Sequence, residues 1–272
     1  MSKSIALITV HGMGDHQRSY HEPFETRIRE TLGEAVWQSV VFRSVYYQDI
    51  LQKQQDAIFD EMKPHVRWKQ LRKFLLFGFS DAASLEAGKE KDGSPYVMTQ
   101  ERIRQALDEA FDEAGGVAIP VVILAHSLGC QVVSNYIWDA DPRKPASVGI
   151  WTQASAGLPD GSPRDTFRRL RTLRRLSTTG CNIPIFVAGH AAIDAITPPN
   201  EGFTWHNLYD VDDALGWPLK PLSKSYEDLV EDIPVRAGNR LIGWLLKSWN
   251  PLSHGEYWTN RAVLEDVAEA VI

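Results

Sequence analysis

The stretch VVILAHSLG, residues 121–129, decides the fold. Residues 119–125 contain almost no polar side chain, which is typical of a strand buried on both faces of a parallel sheet. Ser127 follows at once, with the small residues Ala125 and Gly129 two positions before and after it. A helix is predicted over 130–138. A sharp turn from strand to helix needs small residues at those two positions, and it exposes the serine hydroxyl as a nucleophile.

The pattern on either side of this stretch alternates between strands and helices, so the predicted fold is α/β: a mostly parallel central sheet flanked by helices. The whole chain, 1–272, is predicted to be one domain with inserted helical cap segments at 50–100 and 140–180. Apolar runs predict further strands at 4–10, 40–47, 183–189 and 203–209. Helices are predicted at 21–38, over most of 50–77, and at 99–114 with Thr99 as N-cap, 241–249 and 259–271. A loop is predicted at 80–98.

Composition excludes several classes of protein. The 272 residues are 43% hydrophobic, enough for a large core, and a net charge of −6 argues against non-specific nucleic-acid binding. Two cysteines, Cys130 and Cys181, are too few for a disulfide scaffold. The apolar run 5–10 is too short for a secretory signal, and no stretch is long enough for a transmembrane segment. We therefore expect a cytoplasmic location.

A serine nucleophile needs a base, an orienting acid and donors for the oxyanion. The N–H of Leu128, at the start of a helix, is one candidate donor. The N–H of Met13, in a glycine-rich loop after the first strand, is the second. His11 in the same loop has two interpretations: a structural hydrogen-bonding residue, which we favour, or a substrate contact.

In folds that carry a nucleophilic serine on such a strand-to-helix turn, the orienting acid and then the basic histidine follow the serine along the chain. Asp210, Asp212 and Asp213 follow the strand predicted at 203–209, and all three are candidates for the acid. His254 lies in a turn-forming stretch before the last helix and is the candidate base. His206 is expected to lie within a strand.

These segments resemble the serine α/β-hydrolase superfamily. HGMG (11–14) resembles the oxyanion loop of lipases and esterases, and AHSLG (125–129) resembles the nucleophile turn with Ala in place of the first Gly. DDALGWPLKPL (212–222) is similar to a stretch of DDHD-domain phospholipases, and SHGEYW (253–258) to the segment that ends such domains. The resemblance singles out Asp213 as the acid, with Asp210 and Asp212 as alternatives. It implies a lipase- or esterase-like hydrolase with the triad Ser127, Asp213 and His254.

The implied reaction requires no metal or organic cofactor, and the implied partner is a small-molecule or lipid ester. The histidines of the first loop lack the spacing of a metal site, and a dinucleotide fingerprint fails because its third glycine position holds Gln17. Two other functions stay open: a catalytically silent binding protein and an acyltransferase.

Residues 164–175 carry six arginines, interpreted either as a solvated helix face or as a surface for peripheral contact with anionic lipid or an acidic partner. Residues 68–79 and 241–249 mix Trp, Leu and Phe. They are interpreted as core or cap packing, or as a lid over an acyl pocket.

Overall fold

The computed structural model describes residues 2–14, 16–89, 91–143, 149–152, 158–237 and 253–272. Within these residues, one six-stranded sheet has the order β2-β1-β3-β4-β5-β6, and every neighbouring pair is parallel. The strands are β1 (Ile5–Val10), β2 (Val40–Val45), β3 (Val121–His126), β4 (Leu173–Thr179), β5 (Thr204–Asp210) and β6 (Val230–Val235). The predicted parallel sheet flanked by helices is confirmed.

Ten helices of the described residues accompany the sheet. They are α1 (Glu22–Leu32), α2 (Glu34–Trp37), α3 (Gln52–Met62), α4 (Lys69–Glu86), α5 (Pro95–Glu113), α6 (Leu128–Ala140), α7 (Pro163–Arg168), α8 (Ile183–Val187), α9 (Lys224–Leu229) and α10 (Arg261–Val271). Short 3-10 helices lie at Gln48–Ile50, Lys63–His65, Gly149–Thr152, Lys220–Leu222 and Ser253–Thr259. The helix predicted at 241–249 lies outside the described residues. No described helix has the length and apolar character needed to cross a bilayer.

Successive side chains of the central strands point to opposite faces of the sheet and pack into two separate hydrophobic cores. Ile8 and Ile123 pack with α5 and α6 on one face, whereas Leu7 and Val122 pack with α1 and α10 on the other. All four side chains are fully buried. This is why β1 and β3 read as continuous apolar runs rather than as alternating ones.

The prediction of a strand at 183–189 is wrong, because Ile183–Val187 forms the short helix α8. Pro184 suits the first turn of a helix, where its missing N–H costs nothing. The strand is instead β4, inside the segment predicted as an insertion at 140–180, and β6 was not predicted. Both strands contain polar residues, so neither forms the continuous apolar run on which the strand predictions are based.

Helix boundaries before β3 also differ from the prediction. Helix α5 begins at Pro95, and the N-cap is Ser94, whose hydroxyl accepts a bond from the Val97 N–H at 3.3 Å. Thr99, predicted as the cap, is buried inside the helix. Helix α4 extends to residue 86, so much of the loop predicted at 80–98 is helical. Gly33, with a φ of 76°, divides the helix predicted at 21–38 in two.

The strand order reverses between β1 and β3, because β2 lies on one side of β1 and all later strands lie on the other. In open parallel sheets, ligands bind in the crevice at the carboxyl ends of the strands where the order reverses. The loop after β1 begins at His11 and the turn after β3 contains Ser127. Both therefore lie at this crevice.

Candidate active site

Ser127 lies in a strained turn between β3 and α6. Its φ of 53° and ψ of −123° are rare for a residue with a side chain. Such conformations cost about 1–3 kcal/mol and persist only where the surrounding structure imposes them. Here the Ser127 N–H donates to the Thr179 carbonyl at 2.9 Å, which fixes the turn to β4. The Ser127 Oγ is buried and has no hydrogen-bond partner among the described residues.

Two glycines make this turn possible by close packing. A Cβ atom on Gly12 would lie 2.5 Å from the Ser127 Cβ and 3.1 Å from its Oγ. A Cβ atom on Gly129 would lie 2.4 Å from the His11 carbonyl oxygen and 2.8 Å from that of Val10. Side chains at either position would push the first turn of α6 away from the loop after β1. The loop and the serine turn are therefore in direct contact.

His11 supports this loop from below, as the structural interpretation predicts. Its Nε2 accepts from the Tyr47 N–H at 3.1 Å, so its Nδ1 carries the proton that bonds to the Gly12 carbonyl at 2.7 Å. Burial, reinforced by the nearby His16, holds the pKa of His11 well below its usual value, so the ring stays neutral. The Tyr47 hydroxyl also donates to the His11 carbonyl, at 2.7 Å.

The opposite side of the loop is held by α4. Asp81 is buried, and its carboxylate accepts from the Gly14 N–H at 3.3 Å and from the Gln55 side-chain amide at 2.5 Å. Burial raises the pKa of Asp81 to about 6. Met13 packs so closely on Gly78 that a Cβ there would lie 2.5 Å from its Sδ. The helices before β3 therefore contribute to the shape of the loop that carries the Met13 N–H.

The second candidate donor, the Leu128 N–H, heads the first turn of α6. Main-chain N–H groups in a first turn have no acceptor within the helix, and the helix dipole is positive there. Helix α6 has 13 residues, so the dipole is well developed. An oxyanion formed beside Ser127 would meet this end of the helix.

Asp210 and Asp213 are both buried at the carboxyl end of β5, whereas Asp212 is exposed. Asp210 is occupied by main-chain donors, since its carboxylate accepts from the N–H groups of Ala237 at 2.6 Å and Asp212 at 3.0 Å. Asp213 accepts from the Leu215 N–H and from the Tyr257 hydroxyl, both at 3.0 Å. Burial and the charge of Asp213 raise the pKa of Tyr257, so this hydroxyl remains a donor.

The loop that carries Asp213 is fastened to the sheet by residues beyond it. Asp232 on β6 accepts from the main-chain N–H groups of Leu219 and Lys220 at 2.9–3.0 Å. The Trp217 N–H donates to the Cys181 carbonyl just after β4. Strand β4 separates β3 from β5, so the ends of these two strands lie about 10 Å apart. That spacing leaves room for an imidazole between the serine turn and the acid loop.

The 3-10 helix Ser253–Thr259 lies between these two features. The Tyr257 hydroxyl bonds to Asp213 in the loop after β5. The Tyr257 ring centroid lies 5.6 Å from that of His126, the residue before Ser127. Trp258 contacts His126 at the same distance. His254 belongs to this 3-10 helix, but its side chain lies outside the described part of the structure. No signal in the sequence pointed to Tyr257, because its role depends on this packing.

A cavity of about 380 Å³ lies one helical turn beyond Ser127 along α6. Gln131 of α6 lines it, together with Phe186, Val187, Ile193 and Tyr226 from the opposite side. Lys89, Asp139 and Asp194 are charged residues of its lining. The volume is within the range of small-molecule sites, and the lining combines apolar and polar groups.

Two other features of the sequence have structural functions. His206 lies in β5 as expected, and its Nδ1 is 2.5 Å from the Asp266 carboxylate on α10. The arginine-rich stretch 164–175 is not one helical face, because it spans α7 and the start of β4. Arg168 forms a two-point ion pair with Asp108, at 2.6 and 2.8 Å, and Arg169 pairs with Asp165 at 2.9 Å.

Comparisons with known proteins yield little. No family model matches the chain, and no curated protein matches it. Among solved structures, it is similar to a protein from Xanthomonas campestris pv. campestris that is named "putative hydrolase of the alpha/beta superfamily". The two share 12% identity over 98% of this chain and 95% of that chain, with a TM-score of 0.41. A likeness of this degree assigns no activity to the chain.

Proposed function

We propose that the chain is a serine hydrolase of the α/β-hydrolase type that cleaves carboxylic esters through an acyl-enzyme on Ser127. The observation that carries the proposal is the strained turn, in which a buried serine hydroxyl, without a hydrogen-bond partner among the described residues, lies beside Gly12 at the head of α6. A serine that only capped the helix would direct its oxygen to a main-chain N–H, and this one makes no side-chain cap bond.

In the proposed reaction, the Ser127 Oγ attacks the ester carbonyl carbon while His254 accepts the hydroxyl proton. The carbonyl π electrons move to oxygen, and the N–H groups of Met13 and Leu128 stabilise this oxyanion. The tetrahedral intermediate collapses, the bond to the alcohol oxygen breaks, and His254 gives its proton to the departing alcohol. Water then attacks the acyl carbon while His254 accepts one of its protons, and the bond from this carbon to Ser127 Oγ breaks. His254 returns the proton to Oγ, which releases the acid and restores Ser127.

Asp213 is the proposed orienting acid for His254. Its burial and its bond to Tyr257, three residues beyond His254, support this role. Asp210 is less suited because main-chain N–H groups hold both of its oxygens, whereas Asp213 has one main-chain donor, Leu215, and one side-chain donor, Tyr257. Asp213→Asn should lower kcat by about 10⁴-fold, as expected for loss of the group that fixes the histidine tautomer. Asp210→Asn should instead lower stability, and a larger kcat loss in that variant than in Asp213→Asn would reverse the assignment.

The proposal is tested with p-nitrophenyl esters of increasing chain length and with a fluorophosphonate probe. We expect ester hydrolysis and one covalent adduct, located on Ser127 by peptide mass spectrometry. Ser127→Ala should lose both the adduct and hydrolysis, on the order of 10⁶-fold in kcat. Ser44→Ala, a serine of the edge strand β2, is the matched control and should keep both. Hydrolysis by Ser127→Ala at the unaltered rate, or no adduct in the unaltered protein, would refute the proposal.

A further inference from the structure

The turn between α3 and α4 forms a tip whose charge opposes that of the protein. Residues 63–73 contain five lysines and arginines and no acidic residue, in a chain with a net charge of −6. We call residues 62–73 the basic tip. Nine of its twelve residues are exposed. Lys63 pairs with Asp60 at 2.7 Å, and Lys73 lies 3.6 Å from Asp56.

Three cations of the basic tip have no such partner among the described residues. Arg67, Lys69 and Arg72 form no ion pair within the part of the chain that the structure describes. This differs from the arginine-rich stretch 164–175, where Arg168 and Arg169 are bound to carboxylates. The basic tip therefore offers positive charge that an anionic surface could neutralise.

Large apolar side chains accompany these charges. Trp68 is 76% exposed, Phe79 is 70% exposed, and Met62 and Ile58 are about half exposed. Trp68 has a φ of 57° and a ψ of 46°, a left-handed conformation that is strained for any residue except glycine. Burial of this side chain does not explain the strained backbone, since the tryptophan is exposed, so the strain is consistent with a role at the surface.

The arrangement follows the pattern of a helix that lies on a membrane. Arg72 and Phe79 are seven residues apart, about two helical turns, so they project on one side of α4, and Trp68 directly precedes the first turn of this helix. Tryptophan and phenylalanine partition into the headgroup region, while arginine and lysine neutralise anionic lipids. Nucleic acid fits less well, because Ile58 and Met62 cannot stack on bases.

We propose that the basic tip docks the protein on anionic lipid bilayers, with Trp68 inserted among the headgroups and Arg67, Lys69 and Arg72 against the lipid phosphates. Gly78 of α4, which touches Met13, lies ten residues from Trp68, or about 15 Å along the helix. Docking would therefore hold the crevice at the end of the sheet close to the lipid surface. The proposal does not depend on Ser127 being catalytic.

The test is flotation of the full chain with vesicles of phosphatidylcholine, either pure or containing about one third phosphatidylserine. We expect binding to the anionic vesicles only. Arg67→Gln/Lys69→Gln should weaken it by about 25-fold, at about fivefold per charge. Arg171→Gln/Arg174→Gln, which removes two exposed arginines elsewhere, is the matched control and should bind normally.

Trp68→Gly separates insertion from folding, because glycine suits the left-handed conformation and should preserve the helix. We expect this variant to lose at least about tenfold in binding, as for an exposed indole that leaves the lipid interface. Absence of binding to anionic vesicles, equal binding to neutral vesicles, or full binding by both tip variants would overturn the proposal. Binding of the basic tip to a single-stranded oligonucleotide but not to vesicles would also overturn it. Ser127→Ala should bind vesicles as the unaltered protein does, so the two proposals can fail independently.

Discussion

Replacement of Asp81 by Asn should change the dependence of stability on pH. Asp81 of α4 is buried against the loop that contains Gly14, and burial raises the pKa of its carboxyl from 3.8 to about 6. A rise of this size corresponds to about 3 kcal/mol. Because the folded-state pKa lies above the unfolded-state value, the folded protein binds more protons in this range. The contribution of Asp81 to the free energy of unfolding is therefore greatest below about pH 4 and is lost as the pH rises through 6.

Asparagine has no proton to lose, so this loss disappears in the variant. Between about pH 4 and pH 8, the free energy of unfolding of Asp81→Asn should rise relative to that of the unaltered protein by about 2.5 kcal/mol. Asp81 accepts from both Gln55 and Gly14, and an asparagine offers one acceptor oxygen instead of two. The free energy of unfolding of the variant should therefore be lower by about 1 kcal/mol at every pH. This constant loss shifts the plot of the stability difference against pH downward without changing its slope.

The measurement is urea unfolding followed by circular dichroism at several pH values, with the free energy extrapolated to water. The neighbouring titratable groups His11 and Tyr47 are present in both proteins, so most of their contribution cancels in the difference. Asp160→Asn, at an exposed aspartate, is the matched control and should give a flat difference curve. A flat curve for Asp81→Asn would refute the conclusion that this carboxyl is destabilised by burial when ionised.

Three further substitutions test the packing around the site and the sheet. Gly12→Ala places a Cβ 2.5 Å from that of Ser127, so kcat on a p-nitrophenyl ester should fall by at least about 100-fold while circular dichroism stays normal; unchanged turnover would contradict the close contact. Tyr257→Phe removes the donor to Asp213 and should lower the free energy of urea unfolding by about 1–3 kcal/mol, whereas full stability would show that the bond is dispensable. Asp266→Ala removes the acceptor of buried Ser177 on β4 and a partner of half-buried His206 on β5, and it should cost about 3 kcal/mol by the same assay; a loss within experimental error would exclude an anchoring role for this carboxylate.

The central strands could be predicted because their requirements are local. β1 and β3 are buried on both faces, and a continuous apolar run in the sequence records that burial directly. β4 could not be found this way. Ser177 in β4 bonds to Asp266 on α10, and Thr178 bonds to Asn207 on β5. These partners are distant in the sequence, so the polar residues of β4 look like a surface segment until the fold is known.

The residues of the candidate site also differ in how far local sequence specifies them. The turn at Ser127 is recognisable because its steric requirement falls on the two positions at ±2, which hold Ala125 and Gly129. The choice between Asp210 and Asp213 is not local. Both are buried, and each accepts from the main-chain N–H two residues further on, whereas Ala237 donates to Asp210 and Tyr257 to Asp213. The support of the Met13 loop by α4 also depends on tertiary contacts. Sequence alone therefore identifies the candidate nucleophile more sharply than its candidate partners.

Helices α1 and α10 cover the same face of the sheet, although they lie at opposite ends of the described chain. During translation, the apolar surface formed by Leu7, Val122 and Leu124 stays only half covered until α10 has been synthesised. Contacts between distant segments slow folding and prolong the time during which such a surface can associate with other chains. Interrupted synthesis of this protein should therefore produce fragments that aggregate or are held by chaperones.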